Sequence, residues 1–435
     1  MTILYKTQEI ISLWTQNHRL KTWVGVIGKM GSGQMVIQGA AFLTGILIVR
    51  SLTPTEYAFY TLAYTMLGTM TVLADCGVAS AVLSEGGKVW TDREKLGTVV
   101  VTGLKFRGRL AVASLAIAVP LLTYFLYSHQ APASKTVALV ALICGMYATS
   151  FFWGIYEIPL RLHQRISELL KINISQALMR FSLIGVAIYF FPYAPVAIAL
   201  TLLAQALALP QLVRYSRKMA DFKQQESEAV RFKIWKTVKR MFPDAVYYCF
   251  SGQLTIWLAS IFGTTNALAN IGALGRMGQI LTILSAFVGT VITPRFSRLP
   301  VEKSGLLLKR FLQVLLLATV VSALLVVAVA IVPSASKIVL GPQYSNLGKE
   351  TILIMINAAI TGLSGIIFAL AASRGFVVPP QIAIPLSILF QVIAIVVFDL
   401  KTVSGIICVG ILTSLVTLLL HVTNAIIALT RQSKS

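Results

Sequence analysis

The sequence predicts an all-α polytopic membrane protein with about twelve transmembrane helices in two six-helix lobes. Three observations carry this expectation. Hydrophobic residues make up 57% of the 435 and charged residues only 12%, whereas soluble domains carry roughly 25% charge. Long apolar runs recur along the chain. A bilayer core takes about 20 such residues as a helix, because lipid offers no partner to an unpaired backbone group. Lys and Arg, finally, collect in alternate gaps between these runs. The gap from Arg50 to Glu56 holds one base, and the next, from Glu85 to Arg109, holds Lys88, Arg93, Lys95, Lys105, Arg107 and Arg109. The gap from Ser128 to Lys135 again holds one, and the central gap from Arg214 to Arg240 is densely basic. Basic loops stay on the cytoplasmic side during insertion, so the alternation is a topology map.

In chain order the expected spans are residues 24–49, 57–83, 110–127, 136–156, 172–191 and 196–213, then 241–262, 267–292, 311–332, 351–373, 379–398 and 403–429. Residues 1–23 are mixed and polar, with Lys6, Arg19 and Lys21, and show no signal-peptide pattern; they are expected to form a cytoplasmic tail. Residues 24–213 make the first lobe, 214–240 a basic cytoplasmic linker, 241–430 the second lobe and 431–435 a second cytoplasmic tail. This arrangement leaves Arg50, Lys135, Lys337, Lys349 and Lys401 outside, and Lys29, Arg180 and Arg276 within spans. The remaining bases face the cytoplasm. Six crossings return the chain to its starting side, so the two lobes are related by a pseudo-two-fold axis along the membrane normal. The run Tyr57-Ala58-Phe59-Tyr60-Thr61-Leu62-Ala63 parallels Leu268-Ala269-Asn270-Ile271-Gly272-Ala273-Leu274, which suggests duplication.

Several function classes drop out. The net charge of +22 lies in short loops rather than on one domain. It is expected to orient the chain and adhere to anionic membrane lipids, and nucleic acid is not expected as a partner. Cys76, Cys144, Cys249 and Cys408 are scattered and offer no disulfide or zinc spacing. Gly28-Lys29-Met30 is not a phosphate loop, because Met30 stands where a Ser or Thr is required and no glycine is correctly spaced before Gly28. The glycines of this first span suit close packing or bending instead. The four His residues are isolated, and the outer turns at 191–195 and 263–266 barely reverse the chain. The longest outer loop, 333–350, is too small for a catalytic domain. An enzyme is therefore not expected, nor is a cofactor or metal.

The informative residues are the charges within spans. On insertion scales such a residue costs about 2.5–3.5 kcal/mol at the membrane centre, so it faces a wet cavity or a partner. Arg276 lies about nine residues, roughly 13 Å, from the outer end of its span, too deep to snorkel. Asn270 and Gln279 add polar surface to the same segment. All three are candidates for a substrate path, against a structural ion pair or interhelical hydrogen bond. Arg180 is similarly deep in the fifth span. Lys29 sits nearer the inner end, where lining a cavity and snorkelling compete. Asp75, followed by Cys76 and Gly77, is expected to pair with Lys29 or carry a coupling proton. Asp244 follows Pro243 where the seventh span is expected to begin, which suits an N-terminal cap, with ion coupling as the alternative. The deep balance is cationic and favours anions, and the Arg fork suits a diphosphate.

At these residues the sequence resembles the polysaccharide (O-antigen) flippases of the multidrug/oligosaccharidyl-lipid/polysaccharide exporter superfamily. Leu47-Ile48-Val49-Arg50-Ser51-Leu52-Thr53-Pro54-Thr55-Glu56-Tyr57 resembles that family's turn after the first span, with Thr53 where Gly is usual. Asp75-Cys76-Gly77-Val78-Ala79-Ser80-Ala81 resembles its ending of the second span, and Ile271-Gly272-Ala273-Leu274-Gly275-Arg276 with Pro294-Arg295-Phe296-Ser297 its eighth. The resemblance implies a V-shaped, MATE-like fold of two lobes that opens alternately to either side of a bacterial inner membrane. It implies a cargo of undecaprenyl-diphosphate-linked oligosaccharide, and polysaccharide polymerase machinery as a possible partner. In relatives, bases on the first, second and eighth helices line the central cavity. Lys29 and Arg276 match the first and eighth, and the second helix offers no matching base. The rival on this fold is a drug/cation antiporter, which should display buried carboxylates. A polysaccharide polymerase or ligase and a major-facilitator carrier lack their expected features.

Overall fold

A computed structural model describes residues 31–297, 304–332, 334–376 and 378–432. Their regular secondary structure is all helical, with no strand among them. The first half contains α1 (Gly31–Ser51), α2 (Pro54–Asp75), α3 (Val78–Gly86), α4 (Arg93–Ser128), α5 (Ala133–Leu162), α6 (Ile166–Phe190) and α7 (Ala194–Met219). The second contains α8 (Glu228–Gly252), α9 (Leu254–Phe262), α10 (Thr265–Phe287), α11 (Thr293–Ser297), α12 (Ser304–Ile331), α13 (Ala335–Leu340), α14 (Gly348–Ala372), α15 (Pro380–Val397) and α16 (Val403–Gln432). Nine helices among the described residues are long and apolar enough to cross a membrane, or eleven when two bent pairs each count as one. Helix α10, which carries Arg276, occupies the place of the eighth expected span.

The bends are the main departure from straight spans. The second expected span is α2 plus α3, bent by 43°, and the seventh is α8 plus α9, bent by 55°. The first bend is written into Asp75-Cys76-Gly77. Cys76 and Gly77 both adopt positive φ, 38° and 90°, which ends α2. Asp75 Oδ1 then accepts the Ala79 N–H at 3.2 Å and starts α3. Gly77 also lies under the Met241 side chain, where an added Cβ would fall 2.8 Å from Sδ.

Local chemistry also moves two boundaries. Asp92 accepts the N–H groups of Glu94 and Lys95, both at 3.1 Å, so α4 begins well before its apolar run. Much of the second basic gap is therefore helix, and Arg107 is buried in it, 5% exposed. Likewise Ser227 caps α8 at Val230 N–H (3.5 Å), and only residues 220–227 of the expected linker lie between helices. The two basic stretches meet at one end of the bundle, where Arg93 Nη2 donates to the Arg217 carbonyl (2.9 Å) and Arg109 reaches Glu226 (3.3 Å). That is the geometry their shared sidedness requires.

Helix α2 packs on α4, α5 and α7 in the first half, and α14 packs on α10, α12 and α16 in the second. The halves meet where α2 crosses α10. Gly272 permits that approach: an added Cβ would lie 2.5 Å from Thr61 Oγ1. At the end of the bundle opposite the basic stretches, two polar clamps join the halves. Gln343 Nε2 donates to the carbonyls of Val49 (2.7 Å) and Leu52 (3.0 Å), at the last turn of α1. The His129 ring lies between the Ser260 carbonyl (3.2 Å) and Thr265 Oγ1 (3.1 Å).

Candidate functional site

Five helices, α1, α2, α6, α7 and α10, enclose a cavity of about 240 Å³. Gln38 and Gly45 of α1, Tyr60 and Tyr64 of α2, Arg180 of α6, and Arg276 with Gln279 of α10 face it. Three residues selected from sequence are thus brought together. Arg276 and Gln279 are three positions apart and share a helix face. Asn270 is half-buried and does not line this cavity, because six positions are about one and two-thirds turns and put it on another face. Lys29 lies outside the described residues, so its expected place beside the cavity and its pairing with Asp75 have no counterpart here.

The two guanidinium groups sit in different surroundings. Arg276 Nε donates to Tyr57 Oη at 3.2 Å, and that hydroxyl donates to the Gly272 carbonyl at 3.2 Å. Tyr57, Tyr60 and Tyr64 form a ladder along one face of α2, with Tyr60 and Tyr64 ring centroids 4.5 Å apart. Gly45 lets α1 close over the arginine: a Cβ there would lie 3.2 Å from its Cδ. Arg180 Nε is buried with no hydrogen-bond partner among the described residues. Neither arginine has a carboxylate within ion-pair distance among those residues. A guanidinium stays protonated. The cavity therefore holds two cations whose remaining N–H groups point to an anion or to water.

The acidic candidates lie elsewhere. Asp75 pairs with Arg107, Oδ1 to Nε at 3.7 Å. Arg107 also donates to the Phe151 carbonyl at 2.9 Å and lies over that ring. The sequence had placed Arg107 in a solvated loop, and the early start of α4 is what buries it. The expected cap at Asp244 does not form: Asp244 lies well inside α8, whose start is capped by Ser227. No group of three His, Cys, Asp or Glu residues suited to a metal occurs among the described residues. The tyrosines of α2 were not selected from sequence, although Tyr57, Tyr60 and Tyr64 at spacings of three and four was a readable signal.

No family model matches the sequence, nor does any curated protein. Solved structures do match in fold. An inward-facing multidrug resistance MATE family transporter of the MOP superfamily has a TM-score of 0.68 at 13% identity, covering 91% of this chain and 95% of that one. The lipid II flippase MurJ, in an inward closed conformation, has a TM-score of 0.70 at 12% identity, covering 92% and 87%. A eukaryotic MATE transporter has a TM-score of 0.60 at 13% identity, covering 93% and 98%. The chain is a multi-pass membrane protein with the fold of these transporters and flippases.

Proposed function

We propose that this protein is a flippase for a polyprenyl-diphosphate-linked oligosaccharide, working by alternating access in a bacterial inner membrane. One observation carries the reading: Arg180 and Arg276 face one cavity and no described carboxylate neutralises them. A diphosphate satisfies both charges and the open N–H donors at once, since the Arg fork matches phosphate oxygens two at a time. The polyprenyl chain stays in lipid while the anionic headgroup crosses between the halves. Rocking of one half against the other exposes the site to each side in turn. The basic end faces the cytoplasm, where anionic lipid headgroups and the loop charges attract each other. Flipped substrate is handed to polysaccharide polymerase machinery on the far side.

The fold supports this reading through its likeness to a lipid II flippase. A drug/cation antiporter on the same fold would need a negative charge at its binding site, and no described carboxylate lines this cavity.

The test is transport of undecaprenyl-diphosphate-linked oligosaccharide by the full chain in proteoliposomes. Hydrogen bonds to charged groups contribute about 1.5–3 kcal/mol, so Arg276→Ala should slow transport by roughly tenfold to a hundredfold. Arg276→Lys should recover part of it, because an ammonium keeps the charge and loses the fork. Full activity in a correctly inserted Arg276→Ala protein overturns the proposal.

A further inference from the structure

A second cavity, about 310 Å³, lies wholly within the second half, where α8 breaks into α9 against α14 and α16. Its wall contrasts with the first. Ser251, Thr255, Asn357, Thr361 and Ser414 supply hydroxyls and one carboxamide, Tyr248 supplies an aromatic face, and no charged side chain lines it. Part of this wall is already organised. Ser414 Oγ donates to Asn357 Oδ1 at 2.9 Å, and Thr361 Oγ1 lies 3.0 Å from Ser414 Oγ. That arrangement fixes the amide so that its Nδ2 donors remain free of any described partner. Gly410 keeps the space open: a Cβ there would lie 3.1 Å from Thr255 Cγ2 and 3.2 Å from Asn357 Nδ2.

The two cavities lie on opposite sides of the contact between α10 and α14: α10 lines the first, and α14 lines the second. Gln279 of α10 faces the first, while its neighbour Gly278 packs on Ala358 (3.0 Å from an added Cβ), next to Asn357 of the second. Packed helices lie about 8–10 Å apart axis to axis, a separation shorter than an extended oligosaccharide of a few sugars. Several of these groups are satisfied within the protein, as Ser251 Oγ accepts from Gln391 Nε2 (2.9 Å) and Thr413 donates to the Val409 carbonyl (2.8 Å). The open donors are those of the Asn357 amide, which are costly to leave unpaired away from water. Hydroxyls that both donate and accept, spread over four helices beside an aromatic face, match a polyol better than an ion, because a cation would want carboxylates or converging oxygens.

We infer that this second cavity is a saccharide-recognition site, which reads uncharged sugar hydroxyls through Asn357, Thr361 and Ser414. The inference rests on the first cavity holding the diphosphate of the same molecule. Its functional consequence is a division of labour: charge in the first cavity, between the halves, holds any diphosphate lipid, and neutral hydrogen bonding in the second cavity selects the glycan.

Binding of two probes to the full chain in nanodiscs tests this. The probes are undecaprenyl diphosphate and undecaprenyl diphosphate bearing a neutral trisaccharide. The wild type should bind the trisaccharide lipid more tightly. Asn357→Ala combined with Ser414→Ala should erase that preference, a change of about tenfold for the loss of two or three hydrogen bonds, and leave bare undecaprenyl diphosphate binding as before. Gly410→Ala, which narrows the cavity and keeps every hydroxyl, should erase it as well and guards against misfolding of the double variant. Equal affinity for the two probes in the wild type, or an undiminished preference in both variants, overturns the inference. So does an Asn357 variant that changes sodium dependence and not glycan preference. If neither lipid binds the wild type, the flippase reading fails first, a result distinct from all of these.

Discussion

The two cavities sit on either side of the α10–α14 contact in one apolar bundle, yet they are built from opposite kinds of polarity. The first concentrates two fixed cations among three threonines and two tyrosines, and Arg180 Nε lacks any described partner. The second spreads many weak hydrogen-bonding groups and holds no charge. An unpaired charge in low dielectric costs far more than a hydroxyl that can bond back to its own helix. The first cavity is therefore the more demanding of an occupant, and the second tolerates being wet. The two cavities thus differ first in the energetic cost of emptiness.

Removing the contrast should have the largest effect. Arg180→Gln with Arg276→Gln turns the first cavity into a neutral one like the second. Transport of diphosphate lipid should fall more than a hundredfold if each charged contact contributes about 1.5–3 kcal/mol. A double-mutant cycle should show coupling between the two sites of about 0.5–3 kcal/mol, as for groups sharing one ligand. Additive losses in the transport assay would mean the arginines do not act on the same anion. Next comes Gly45→Val, which keeps both charges and pushes on the Arg276 side chain. Transport should drop by about tenfold, with unchanged detergent melting as the check that the fold survives.

Asp75→Asn sharpens the comparison from outside both cavities. It strips the counter-charge from buried Arg107, but Asp75 is 29% exposed in its side chain. The destabilisation should be about 1–2 kcal/mol, below the range for a fully buried pair, measured by thermal unfolding. Affinity for undecaprenyl diphosphate should hold steady. An affinity loss as large as that of Arg276→Gln would show that any buried charge suffices and that the cavities are not special. The smallest expected effect belongs to His129. Burial holds its pKa below the ordinary value of about 6.5, so the folded ring stays neutral when an unfolded one would already be charged. Its contribution is present above pH 6.5 and is lost as pH falls through the lowered folded value. Melting temperature should decline on mild acidification, and less so in His129→Gln.

Sequence reading went furthest where a residue's placement was expensive. Arg276, Gln279 and Arg180 stood out because ionisable or polar groups in apolar runs demand a reason, and all three face one cavity. Charge alternation likewise brought residues of two distant basic stretches to one end. Asn270 does not face that cavity, because composition gives a helix but not which face a residue takes. Arg107 was misread because a capping Asp92 extends α4 beyond its hydrophobic stretch. The second cavity left no trace in sequence: Ser and Thr inside helices usually bond to a carbonyl one turn back, as Thr123 does to Val119 at 2.8 Å. Only tertiary packing distinguishes such a hydroxyl from one that faces a cavity.

The clamp from Gln343 onto Val49 and Leu52 has a consequence for how α1 moves. A rod pinned at one tip travels most at the other. While that amide grip lasts, α1 is tied to the second half at its Val49 end, with Gly45 about one turn from the tie and Gln38 about three turns away. Any swing of α1 about that tie would displace Gln38, on the wall of the arginine cavity, further than Gly45.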